Sequence, residues 1–156
     1  MKINLKQLII CIAIPLLVGG LAAYITRDAM VSFGQLNQPP LSPPGFLFPI
    51  VWTILYTLMG IASYLILSSD KPKEEINNAI FVYAIQLIVN FFWSIFFFRL
   101  EWYLFAFFWL LLLWAFIIYT IVTFYRISKP AAYLLIPYLL WVTFAGYLNL
   151  AITLLN

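Results

Sequence analysis

The chain has no histidine and a single cysteine, Cys11. Zinc sites built from His and Cys, Cys–His dyads and Ser–His–Asp triads are therefore excluded. An internal disulfide is excluded too. Charge is almost as scarce. Only 8% of the 156 residues are Asp, Glu, Lys or Arg, against about 25% in a soluble domain. No basic cluster suits nucleic acid, and the net charge is a modest +3. No carboxylate pair stands ready for acid–base work, since Asp70, Glu74 and Glu75 fall together in a short polar loop.

What is present is apolar. Hydrophobic residues make up 66% of the chain and aromatics 20%, with a mean hydropathy of +1.06. A soluble globule could not cover itself with so little polar surface, and disorder needs low hydrophobicity. The composition is that of an integral membrane protein. The charged residues mark off five uncharged stretches, at 7–26, 46–69, 76–98, 103–125 and 130–155. Each meets the roughly 20 residues that a helix needs to cross a bilayer. The spacing predicts an all-α fold: one domain, 1–156, of five transmembrane helices. Barrel strands would be shorter and would alternate in polarity.

Lys2, Lys6, Lys71, Lys73, Arg126 and Lys129 fall on one side of these spans, Arg27 and Arg99 on the other. The positive-inside rule then predicts a cytoplasmic N-terminus. The first span has the basic flank of a secretory signal. Its apolar run exceeds the usual length of one, so it is read as a retained helix. The charges all lie at or beyond the ends of the spans, which argues against a proton relay, pump or voltage sensor.

Loops two to four are short, which makes successive helices antiparallel neighbours. Loop one, 27–45, is long and carries Pro39, Pro40, Pro43 and Pro44. Four prolines restrict its backbone, and it reads either as a semi-rigid cap on the bundle or as a passive connector. Pro49 sits early in span two, where its missing N–H costs little. Pro137 predicts a kink in span five or a later start. Gly19 and Ala23 form a small-xxx-small pair that hints at close helix contact.

Polar side chains inside the spans fall at helical spacing. In QLIVNFFWSIFFF, residues 86–98, Gln86, Asn90 and Ser94 recur every fourth position, with Trp93 beside them. Span two offers Trp52, Thr53, Tyr56 and Gly60; span five offers Tyr138, Trp141, Ala145 and Asn149. Such groups face the bundle interior. If the three faces converge, they line an aromatic cavity with a few hydrogen-bonding groups, as small-molecule sites do. Asn and Gln also serve as interhelical glue. On spacing alone, glue and pocket stand level. Trp102 and Tyr103 read as interfacial anchors, and Trp109 and Trp114 as packing or lipid-facing residues.

Three blocks in this order carry a resemblance. They are LNQPPLSPPGFLFPIVWTILY at 36–56; Gln86, Asn90, Trp93, Ser94 and Phe97 in span three; and LIPYLLWVTFAGYLN at 135–149. Together they resemble the TspO/MBR family, the tryptophan-rich sensory proteins and the translocator (peripheral-type benzodiazepine receptor) proteins. The resemblance implies a five-helix membrane bundle with a cavity capped by loop one. It implies binding of flat apolar ligands, above all tetrapyrroles such as protoporphyrin IX, with no cofactor required. It also implies a link to porphyrin transport or regulation, and it allows a homodimer. By position, the ligand-binding residues would be Trp52, Tyr56, Asn90, Trp93, Ser94, Trp141, Ala145 and Asn149. It further implies an alternative, light- or oxygen-dependent porphyrin breakdown, in which Trp52 and Trp141 would act. A third reading is a structural bundle without ligand. Gln38 stands where the family usually has Lys, and the residues around 32–34 replace an expected tryptophan. Arg27 and Arg99 are the remaining cations on that side. No basic residue follows Tyr147, so the sterol motif of the mammalian members is absent. A bacterial cytoplasmic membrane is the expected location.

Overall fold

The structure, a computed structural model, describes residues 2–156. It is all-helical: α1 (Leu5–Ile25), α2 (Ala29–Gly34), α3 (Leu47–Leu67), α4 (Lys73–Ser94), α5 (Tyr103–Ile127), α6 (Lys129–Leu134) and α7 (Ile136–Leu155). Five helical stretches are long and apolar enough to cross a membrane, the last formed by α6 and α7 together. Each begins and ends within a turn of the span expected from the charge pattern.

The helix ends follow local chemistry. Asn4 caps α1 by accepting from the Gln7 N–H at 3.2 Å. Ser128 caps α6 by accepting from Ala131, and Pro130 sits in the first turn, where no N–H is needed. Pro137 acts the same way at the start of α7. It thus marks a restart after a one-residue break at Leu135 rather than a kink within a continuous helix. The break aims α6 at α3 and α5, while α7 runs along α5.

The α1–α3 contact is close. A Cβ at Gly60 would collide with the backbone of Ile12 and Cys11, and one at Gly19 with the Tyr56 ring. The small side chains let these two helices meet backbone to backbone, the packing that membranes favour in the absence of a hydrophobic drive. Cys11 is buried in this seam as a free thiol. The remaining face of α1 is exposed leucine and isoleucine, suited to lipid.

At its end α4 widens into a π-helical turn, Ile95–Arg99. The extra residue spreads three consecutive phenylalanines in different directions. Phe96 stacks on Trp102 and packs edge-on to Trp109, Phe97 stacks on Trp93, and Phe98 packs edge-on to Phe33 at 5.3 Å. Ala79 and Tyr83 of α4 are buried inside the bundle. That row of α4 therefore faces the core.

Candidate functional site

Two chambers lie beneath loop one, and one aromatic wall divides them. The first has a volume of about 860 Å³ and lies between α1, loop one, the start of α3 and the end of α4. Ligand pockets run from about 300 to 1,000 Å³, so a sizeable ligand fits. The second lies between α3, α4 and α7 and has a volume of about 20 Å³, room for about one water. Phe33, Phe48, Trp52 and Phe98 line both. Phe33 is the centre of this wall, packing edge to face on Phe48 at 5.7 Å and on Phe98 at 5.3 Å.

The residues singled out from sequence divide between these spaces. Trp52, Tyr56 and Ser94 line the wide chamber, with Pro43 and Pro44 over it. Trp52 stacks on Tyr56 at 5.4 Å, giving that chamber a flat aromatic floor. Trp93, Trp141, Ala145 and Asn149 line the narrow one, together with the other face of Trp52. Asn90 lines neither. It is 1% exposed, and its amide is spent inside the bundle. Its Oδ1 accepts from the Tyr56 hydroxyl at 2.8 Å, and its Nδ2 donates to Tyr138 Oη at 2.7 Å. The Tyr138 hydroxyl then donates to Gln86 Oε1 at 2.7 Å. This chain ties α3, α4 and α7 together, and its one contact with the wide chamber is through Tyr56.

Asn149 is committed in the same way. It accepts from the Trp93 indole N–H at 3.1 Å and donates to the Tyr103 carbonyl at 2.8 Å. Thr53 points outward and donates back to the Pro49 carbonyl, so only part of the span-two face turns inward. Trp109 does more than pack: its indole N–H donates to the Val89 carbonyl at 2.7 Å, joining α5 to α4.

Loop one is held by the far end of the sequence, the C-terminal part of α7. The Tyr147 hydroxyl donates to the Pro40 carbonyl at 2.7 Å. Asn156 Nδ2 donates to the Asn37 carbonyl, and the Asn37 N–H donates to Asn156 Oδ1, both at 3.1 Å. Within the loop, Gln38 donates to the Phe33 carbonyl and accepts from Ser42. Pro39 is buried, whereas Pro43 and Pro44 roof the wide chamber. The loop also contains α2, whose Phe33 plugs into the dividing wall.

Sequence reasoning missed Phe33, Phe48 and Phe98 as lining residues; of the two cations it singled out on that side, Arg27 lines the wide chamber and Arg99 does not. Phe48 lies four positions before Trp52, and Phe98 four after Ser94. Extending the same helical spacing by one turn would have found both. Phe33 carried no such signal, because the glycine- and proline-rich loop concealed a six-residue helix.

The family model described as TspO/MBR family matches residues 11–155. The chain is 41% identical to a tryptophan-rich protein TspO of Chlorobaculum tepidum, an alignment covering 100% of this chain and 99% of that one. It is 36% identical to a protein of the same name from Archaeoglobus fulgidus, over 98% of this chain and 99% of that one. It is also 36% identical to a translocator protein of Bos taurus, over 87% of this chain and 82% of that one.

Proposed function

The chain belongs to the TspO/MBR family, and from that premise we propose that this integral membrane protein is a receptor for flat, largely apolar ligands, with tetrapyrroles such as protoporphyrin IX as the ligand class. The observation that carries the reading is the wide chamber. It is about 860 Å³, roofed by Pro43 and Pro44, and floored by the stacked Trp52 and Tyr56. Flat aromatic walls with few polar groups select planar apolar molecules by area and stacking. Ser94 offers a hydroxyl in this lining.

The wide chamber is the primary site in this reading. Trp93, Trp141, Ala145 and Asn149 join it only when the Phe33–Phe48–Trp52–Phe98 wall opens. Binding would serve porphyrin transport or regulation in a cell membrane, with the N-terminus on the cytoplasmic side as the Lys and Arg distribution favours. The test is titration of the purified protein with protoporphyrin IX in detergent. Saturable quenching of tryptophan fluorescence is expected, with a rise in melting temperature as ligand is added. Quenching that grows without saturation and leaves the melting temperature unmoved would instead mark partition into the micelle.

A further inference from the structure

Arg27 stands where α1 ends and lines the wide chamber at its loop-one side, and no Asp or Glu lines that chamber among the described residues. Its guanidinium lies 4.0 Å from the centroid of the Tyr24 ring, and Nη1 donates to the Tyr24 carbonyl at 2.6 Å. These contacts hold the head against its own helix and engage only part of its five N–H donors. The neighbouring polar groups are already engaged. Thr26 donates to the Ala22 carbonyl at 2.8 Å. The Gln38 amide bonds Phe33 and Ser42, and the Tyr56 hydroxyl is given to Asn90. Arg27 is therefore the strong donor left for a guest. The rest of the lining is largely small or aromatic, with Gly19, Ala22, Phe48, Trp52 and Phe98 among it.

We infer that the wide chamber takes an amphiphilic acid: a carboxylate paired with Arg27 at the loop-one rim, and an apolar body lying against Trp52 and Phe98. The inference rests on the wide chamber being the ligand site and adds the head group and the orientation. Arginine suits the role because it is always charged and its planar fork matches a carboxylate in two parallel bonds. A tetrapyrrole bearing propionates and a fatty acid drawn from the bilayer share this chemistry.

The experiment compares protoporphyrin IX with its dimethyl ester, and oleate with methyl oleate, each titrated directly and read by its own effect on tryptophan fluorescence, on wild type, Arg27→Gln and Arg27→Lys in nanodiscs. The acid should bind about tenfold more tightly than its ester, as a charge-assisted bond lost at a partly wet rim predicts. Arg27→Gln should abolish that gap and leave ester affinity unchanged. Arg27→Lys should retain most of it, and raised salt should narrow it. Because Arg27 is exposed, all three proteins should melt at the same temperature. Equal affinity for acid and ester in both pairs in wild type, or a gap that survives Arg27→Gln, overturns the inference while leaving the flat-ligand reading intact. If neither porphyrin binds, the tetrapyrrole reading falls. The head-group rule is then decided by the oleate pair, where absence of a preference for the acid overturns it. A preference confined to oleate assigns the site to fatty acids; one confined to the porphyrin assigns it to tetrapyrroles.

Discussion

The two chambers share one aromatic wall and differ in volume by a wide margin, about 860 Å³ against about 20 Å³. The narrow one sits where three helices are cross-linked by hydrogen bonds. Asn90 joins Tyr56 to Tyr138, and Asn149 joins Trp93 to Tyr103. Each bond draws the helices in until the aromatic rings fill the space. The wide one sits beside α1, which is fastened to α3 through glycines and meets the loop-one end with small side chains such as Ala22 and Ala23. Polar groups at helical spacing thus mark where this bundle is closed, and small residues mark where it is open.

The largest way to break the contrast is at the seam. In Gly60→Leu the side chain meets the backbone of α1, which cannot move aside as a flexible side chain would. Overpacking of this kind costs about 1–3 kcal/mol or more. The variant should melt far below wild type and lose ligand binding, because α1 no longer forms its side of the wide chamber. A differential scanning measurement with and without ligand checks both.

Asn90→Ala should separate stability from binding. It leaves the Tyr56 hydroxyl without its acceptor in a place water does not reach, at a cost of about 2 kcal/mol. Thermal unfolding should register that loss, while affinity for protoporphyrin IX stays within about threefold of wild type. A collapse of affinity with unchanged stability would put Asn90 at the ligand instead.

The paired tryptophans sharpen the contrast further. Trp52 lines both chambers, and Trp141 lines only the narrow one. Trp52→Ala should weaken binding about tenfold, as loss of a stacking surface predicts. Trp141→Phe should change it less than about twofold. Isothermal titration on the two variants distinguishes them. The smallest effect belongs to Tyr147→Phe. It removes one strap on loop one and should cost under about 1 kcal/mol, while speeding ligand release in stopped-flow fluorescence.

Much of this architecture could be read from the sequence. Sparse charge delimits the spans, and Pro137 locates the break in the last of them. Helical spacing brought Gln86, Asn90, Tyr138 and Asn149 to inward faces. It left glue and pocket level, and the hydrogen bonds now show these four holding helices together. Spacing orients a residue toward the interior and says nothing about which interior gap is filled. That depends on how closely neighbouring backbones approach, which Gly60 and Gly19 set between them. The role of Phe33 was illegible for another reason. Its helix is only six residues long and is held by tertiary contacts to Phe48 and Phe98 rather than by local periodicity.

The claim that the wide chamber holds the ligand is tested most directly by filling it. Ala23 is an exposed lining residue of that chamber, so Ala23→Phe occupies the space without disturbing the core. Saturable quenching by protoporphyrin IX should disappear in this variant while its melting temperature without ligand matches wild type. Wild-type affinity in Ala23→Phe would contradict the account and move the site behind the aromatic wall.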